Sequence, residues 1–335
     1  MTPDNPLATL FQTFTAYQRT GALKGAVDLD LFTAVAEGNE TAAALAARCQ
    51  AAERGVRILC DTLTALGFLH KHDGRYALDP VLGPFLDRRS PTYLGAAITF
   101  LASPMVREAF TDVAAAVRKG GTVLSEQGSV EAEHPIWVDF ARAMAPIATL
   151  TAQLVANLLE DGAGRWRKVL DVAAGHGMFG ITLAQRNPGV EVVALDWPKV
   201  LAVAEENARK AGVGDRLRRL PGDAFTVEWG RDYDLVLLPN FLHHFDPPTC
   251  EAVFRKAHAA LVPGGRAVTV EFVPNENRVT PVEAATFALV MLTMTPGGDV
   301  YTFREYERMA RNAGFARSEL HELPPSPQQA VVSSR

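Results

Sequence analysis

A carboxylate followed by three spaced glycines, two further carboxylates that each follow an apolar run, and one pair of adjacent histidines have the types and spacing for chemistry. The first group is Asp171-Val-Ala-Ala-Gly175-His-Gly177-Met-Phe-Gly180. Glycines let a backbone approach a ligand closely because no Cβ stands in the way. Gly175, Gly177 and Gly180 satisfy G-x-G-x-x-G, the fingerprint of dinucleotide sites. Asp196 ends the next apolar run, where its two oxygens suit the paired hydroxyls of a ribose. Gly222-Asp223-Ala224-Phe225 follows a third run and offers a carboxylate to an adenine amino group and a ring to its face. His243 and His244 come after a fourth.

Charge discriminates between the cofactors such positions suit. The pyrophosphate of NAD gains nothing from Asp171 at the head of the glycine loop. The sulfonium and amino groups of S-adenosylmethionine (SAM) are cations that a carboxylate attracts. Asp196 serves either cofactor, but an NAD site has no standing need for Asp223 to Phe225. SAM is therefore the expected cofactor, with S-adenosylhomocysteine as its product.

The elements that must position these residues are legible from periodicity. From Arg167 onward, strand-like runs at 169–173, 190–195, 217–220, 234–238 and 266–272 alternate with helical segments at 175–185, 200–211 and 249–261. That alternation predicts a parallel sheet covered by helices on both faces. Upstream, 91–160 reads as helical with a glycine break at Lys119-Gly120-Gly121. A long helix from His134-Pro135 places Trp137, Phe140, Met144 and Ile147 on one face, a stripe that equally suits core packing and a pocket wall.

Residues 5–37 read as helices through Leu7, Leu10, Phe11 and Phe14, then Leu29, Leu31, Phe32 and Val35. Thr41 is placed to cap a helix over 42–48, and a second helix runs from Glu53 through Leu66 with Gly67 past its end. Residues 68–78 read as a hairpin turning at Asp73-Gly74. Helix, helix, hairpin is the winged-helix pattern, which often reads DNA. Residues 1–100, however, hold nine Lys/Arg against ten Asp/Glu, and phosphate binding needs a cationic surplus. A dimerisation module is the better expectation.

Composition agrees. The chain is 48% hydrophobic and 21% charged with net charge -5, enough for a sizeable core and without a basic field for nucleic acid or anionic membrane. No uninterrupted apolar run predicts a membrane span, and the first residues lack the pattern of a secretory signal. Cys49, Cys60 and Cys250 are odd in number and lack metal spacing, so reduced thiols in a cytoplasmic protein are expected.

Taken in order, the Asp171–Gly177 loop, Asp196-Trp197-Pro198, Gly222–Phe225 and Leu242-His243-His244-Phe245-Asp246 resemble the small-molecule O-methyltransferase family. That family includes plant caffeate-type enzymes, acetylserotonin methyltransferase and bacterial polyketide-tailoring enzymes. The resemblance covers nearly the whole chain and implies an α/β, Rossmann-like SAM-binding domain behind an N-terminal winged-helix dimerisation domain. It implies a homodimer with residues 1–100 for dimerisation, 101–155 as linking helices that contribute to the active site, and 156–335 as the methyltransferase domain. The cofactor set it implies is Asp171, Gly175, Gly177, Asp196, Trp197, Asp223, Ala224, Phe225, Asn240 and Met144. His243 matches the family's general base, which removes the proton of a weakly nucleophilic hydroxyl as the methyl moves in line. Glu271 matches the carboxylate that orients that base. The acceptor pocket would be lined by Trp137, Phe140, Ile147, His244, Phe287, Met291 and Met294, which suits a flat hydrophobic molecule.

Two positions depart from the plant pattern. His244 stands where an aspartate commonly follows the base, and Val300 occupies the place of a second catalytic carboxylate after Pro296-Gly297-Gly298, with Asp299 one residue away. His243, His244, Asp246 and Glu271 also raise a metal reading, but adjacent side chains point apart and the spacing of a ligand pair is missing, so no metal is expected. The expected function is methyl transfer to the hydroxyl of a phenolic or similar small molecule. C- or N-methylation (including a metal-assisted reaction on a 2-oxo acid) and SAM-assisted decarboxylation or hydroxylation stay open on the same fold. A SAM-sensing winged-helix regulator and an NAD-dependent oxidoreductase are the rivals from other classes.

Overall fold

The computed structural model describes residues 6–160 and 166–335. Residue 5, the start of the first expected helix, and residues 161–165 of the expected methyltransferase segment lie outside the described residues. The chain divides into two compact units, Met1–Val106 and Arg107–Arg335.

In the first unit, α1 (Pro6–Phe14), α2 (Ala16–Asp28), α3 (Leu31–Ala36), α4 (Ala42–Arg48) and α5 (Glu53–Ala65) precede a hairpin of β1 (Leu69–His72) and β2 (Arg75–Leu78). Short helices α6 (Gly83–Leu86) and α7 (Ala96–Leu101) follow. Thr41 accepts the Ala44 N–H at 3.3 Å and so starts α4, satisfying one of the donors a helix leaves open. Asp73 and Gly74 both have positive φ, 48° and 75°, the turn that matches the twist of a two-residue hairpin. The core gathers Leu31, Phe32, Leu45, Val56, Cys60, Leu63, Leu69 and Tyr76. Asp61 accepts from Arg57, Lys71 and the Tyr76 hydroxyl, which ties α5 to the hairpin.

Helix α8 (Pro104–Ala109) crosses the boundary, and α9 (Val113–Lys119) ends at Gly120 in the left-handed conformation. The second unit then runs α10 (Ile136–Leu158), β3 (Lys168–Val172), α11 (Met178–Arg186), β4 (Glu191–Asp196), α12 (Pro198–Lys210), β5 (Leu217–Pro221) and β6 (Tyr233–Pro239). It continues through α13 (Pro247–Ala260), β7 (Leu261–Glu271), α14 (Val282–Met294), α15 (Phe303–Asn312), β8 (Arg317–Glu322) and β9 (Gln329–Ser334). The seven strands lie in the order β5-β4-β3-β6-β7-β9-β8. The first five are mutually parallel, and β9 and β8 complete the sheet antiparallel.

The strand period of two sorts side chains to opposite faces. Val169, Val192, Ala194, Leu235 and Leu237 pack with Ala152, Val155, Phe179 and Leu183 of α10 and α11. Leu170, Val172, Leu195, Val236 and Leu238 pack with Val253, Phe254, Tyr306 and Met309 of α13 and α15. Both faces are therefore covered, as the near-continuous apolar runs require. Asp171 is the one charge in the buried part of β3.

The expected strands and helices all form, with ends moved by a few residues. The sequence reading missed α15, β8 and β9, and gave 287–294 no secondary structure although it lies in α14. Helix α14 is apolar nearly all round and shows no 3.6-residue stripe, while β8 carries charges at both ends as an edge strand does. Among the described residues no helix is long and apolar enough to cross a membrane.

Candidate active site

The glycine loop, Asp196, Asp223, Asn240, His243 and Glu271 all stand at or just past the carboxyl ends of the parallel strands, where open α/β sheets bind ligands. Asp171 lies on the face covered by α11, and its Oδ2 accepts the Gly180 N–H at 3.1 Å. A Cβ at Gly180 would meet that oxygen at 3.0 Å and Val192 at 2.6 Å, so only glycine fits there. Asp171 Oδ1 is buried with no partner. Burial raises the Asp171 carboxyl to about 7, opposed by the Gly180 N–H and reinforced by the charge of Asp196. An orphaned, buried, acidic oxygen is a place for a cation to arrive.

Gly175 and Gly177 take positive φ of 57° and 75°, and Gly177 starts α11 from that conformation. Asp196 braces the same loop: its Oδ2 accepts the Gly175 N–H at 2.8 Å and its Oδ1 the Trp197 N–H at 2.7 Å. Burial raises its carboxyl to about 6. Each carboxylate oxygen has a second lone pair, so these bonds leave room for ribose hydroxyls. Trp197, like Trp137 and Val138 of α10, packs against the buried cluster of Ala141, Val200 and Val203. Asp223 Oδ1 accepts the Phe225 N–H at 2.8 Å; Ala224 is buried, and the Phe225 ring meets Phe245 edge-on at 4.9 Å. Asn240 has φ 54° and accepts from Gln328. Met144 is half-buried on α10.

Four residues at this end carried no role in the sequence reading. His176 is buried, held neutral by desolvation to about 4, and its Nδ1 accepts the Met178 N–H at 3.1 Å. Asn207 holds the His176 carbonyl at 2.9 Å. Gln328 reaches Asn240 across 88 residues of chain, and Lys256 reaches the 224–227 loop. Only the first was signalled locally, as a histidine between two motif glycines.

At the other end, β6 leads into a 3₁₀ turn, Leu242–His244, and β7 ends at Glu271. Glu271 is fully buried and serves both elements. Its Oε1 accepts the N–H groups of Phe241 and Leu242 at 3.0 Å and of His243 at 3.4 Å, while its Oε2 meets His243 Nδ1. The hydrogen-bond network assigns the ring proton to Nδ1 and leaves Nε2 as the acceptor nitrogen. Phe287 stands edge-on to His243 at 4.9 Å and lies tilted against Phe272 at 4.3 Å.

His244 faces Trp137 at 5.1 Å and His243 at 4.3 Å, with its Nδ1 buried and unpartnered. Burial above all holds it well below the ordinary histidine range, so it is neutral. Met291 and Met294 are buried at the end of α14. Phe140 bridges the two groups, meeting Trp137 edge-on at 5.8 Å and stacking on His176 of the glycine loop at 6.2 Å, whereas Ile147, further along α10, is 40% exposed.

Asp299 does not stand in for the missing second carboxylate. It bonds the Val300 N–H and pairs with Arg278 at 3.3 Å, while Val300 is buried. Among the described residues no group of three or more His, Cys, Asp or Glu is arranged to hold a metal ion. Asp246 caps α13 by accepting the Thr249 N–H at 3.0 Å.

The turn 296–298 presses on the histidine pair. A Cβ on Gly298 would meet the His243 carbonyl at 2.4 Å and the Thr295 hydroxyl at 2.5 Å. Gly298→Ala is expected to displace His243, lowering kcat by about tenfold and stability by roughly 1–3 kcal/mol. Steady-state kinetics and urea unfolding check this; wild-type values for both would contradict the packing.

The residues at the glycine-loop end fit a cationic adenosyl cofactor, and those at the histidine end fit proton removal. Comparison with known proteins agrees. The sequence profile of the O-methyltransferase domain matches residues 128–316, and that of the O-methyltransferase dimerisation domain matches residues 11–86. The 3-hydroxy-5-methyl-1-naphthoate 3-O-methyltransferase of Streptomyces sahachiroi is 30% identical over 304 residues, covering 90% of this chain and 87% of that protein. A candidate O-methyltransferase from Nostoc punctiforme, known by crystal structure, is 50% identical with a TM-score of 0.94 over the whole of both chains. Human N-acetylserotonin methyltransferase in complex with SAM shares the fold at a TM-score of 0.86 and 21% identity, covering 100% of this chain and 99% of that one. This chain belongs to the O-methyltransferase family, enzymes that methylate hydroxyl groups with S-adenosylmethionine as the donor.

Proposed function

We propose that the chain methylates the hydroxyl of a phenolic or similar flat hydrophobic small molecule, with His243 as general base. The observation that carries this is the buried His243–Glu271 pair, with Glu271 also holding the backbone of the turn that bears the histidine. When bound, SAM supplies an electrophilic methyl group on a sulfonium and leaves as S-adenosylhomocysteine. Asp171 would hold its cationic end, Asp196 its ribose and Asp223 with Phe225 its adenine. Gly175, Gly177, Trp197, Ala224, Asn240 and Met144 would complete that wall. His243 Nε2 would accept the proton of the acceptor's hydroxyl, and the Glu271 carboxylate would stabilise the imidazolium that results. Trp137, His244, Phe287, Met291 and Met294 would hold the acceptor's ring at attack distance.

Residues 1–100 would pair with a second copy of the chain. The matched dimerisation domain and the exposed Leu7, Leu10, Phe11 and Phe14 of α1 support this. Residues 101–155 would contribute to the acceptor site, and 156–335 would carry the cofactor.

Transfer of labelled methyl from SAM to a panel of phenols, catechols, amines and 2-oxo acids, with and without chelator, tests the reading. Label is expected on a phenolic oxygen at equal rates with and without chelator. Label on carbon, or activity abolished by chelator, would overturn it.

A further inference from the structure

We infer that Lys256, on α13 and outside every motif, is a positioning residue for the adenine end of the cofactor site. Its ammonium donates to three backbone carbonyls of one loop: Ala224 at 2.8 Å, Phe225 at 2.9 Å and Val227 at 2.9 Å. An ammonium has three N–H donors, so all are spent on this loop. The loop is a single hydrogen-bonded turn in which Thr226 and Val227 N–H both donate to the Asp223 carbonyl. A turn that is not continued leaves its last carbonyls open, and a lysine is suited to close them.

The surroundings hold the ammonium in place. It stands 5.3 Å over the ring of Trp229, whose own N–H shares the Ala224 carbonyl at 2.8 Å. Burial lowers the Lys256 ammonium from its ordinary range, opposed by the charges of Glu228 and Asp223. The opposite end of the turn is tied down separately. Gly222 N–H donates to the Asp196 carbonyl at 3.1 Å, and Asp223 Oδ1 accepts from Phe225 N–H. With both ends clamped, the second Asp223 oxygen keeps one direction. The lysine thereby sets where the adenine amino group is read, without touching the cofactor. This rests on the proposed use of Asp223 at that amino group.

The test is calorimetric binding of S-adenosylhomocysteine and of S-inosylhomocysteine, in which a carbonyl replaces the adenine amino group. Wild-type protein is expected to prefer the adenine compound by about tenfold or more, the worth of a charge-assisted hydrogen bond. In Lys256→Met that preference is expected to shrink at least about threefold, because the carboxylate is no longer held. Lys256→Gln, which keeps two donors, serves if the methionine variant does not fold, and is expected to fall between. Equal weakening of both ligands, or an unchanged preference, would make Lys256 a general stabiliser of the loop and overturn the inference. A wild-type preference near one would instead overturn the use of Asp223, and the inference with it.

Discussion

His243→Ala is expected to lower turnover of a phenolic acceptor by about a hundredfold or more, since a positioned general base contributes roughly 10²–10⁴. Binding of S-adenosylhomocysteine is expected to stay within about twofold of wild type, because the histidine belongs to the acceptor end. The size of the effect follows from the setting. The Glu271 carboxylate at Nδ1 leaves Nε2 as the only ring nitrogen able to take a proton, and the buried position keeps water from substituting for it. Glu271→Gln is expected to lose turnover as well, because the amide keeps only one accepting oxygen: with that oxygen on the three backbone N–H groups, its NH2 faces Nδ1 and drives the ring proton to Nε2. If His243→Ala retains wild-type turnover, transfer proceeds by proximity alone and the base assignment fails.

Asp171→Asn is expected to weaken SAM binding by about tenfold or more while raising the stability of the cofactor-free protein above pH 7. The two effects share one cause. Burial lifts the Asp171 carboxyl to about 7, so between the ordinary carboxylate range and that value the folded protein holds a proton the unfolded chain has released. The folded state binding more protons means stability is fullest at the acidic end of this window and falls as pH rises through about 7. A cationic ligand favours the ionised form, so SAM affinity runs the other way and improves as pH rises through the same range. An amide at 171 removes its share of both dependences and leaves the smaller one of Asp196, whose carboxyl burial raises to about 6. Thermal melts of the cofactor-free protein and SAM titrations at pH 6 and pH 8 check this. A variant that binds SAM as tightly as wild type at pH 8 would show that Asp171 does not meet the cation.

The glycine loop, the ribose and adenine carboxylates and the histidine were readable because each is a short-range pattern: a strand end and a turn need neighbouring residues only. Strand alternation likewise announced a two-faced sheet, since Val169 and Leu170 must part to opposite sides wherever the strand lies. The winged-helix unit was legible for the same reason, through Thr41 as a cap and Asp73-Gly74 as a turn.

Long-range partners were legible only where the family resemblance supplied them. It paired Glu271 with His243 across 28 residues, but nothing in the sequence pointed to Lys256, 29 to 32 residues from its three carbonyls, or to Gln328, 88 from Asn240. Local periodicity carries no term for such separations, so only the stacking of β6, β7 and α13 makes these contacts. The same holds for direction. Phe140 and Trp137 touch each other on one helix stripe, yet Phe140 also stacks on His176 of the glycine loop while Trp137 meets His244 edge-on, a division that periodicity alone does not give. Asp299 is one residue from the expected place of a second carboxylate, and the turn rotates it to Arg278 instead. The order of motifs along the chain determined the family and the cofactor chemistry. Which lysine clamps the adenine loop, and which glutamine holds Asn240, was decided by the tertiary structure, because only close packing in three dimensions brings those groups within hydrogen-bond reach.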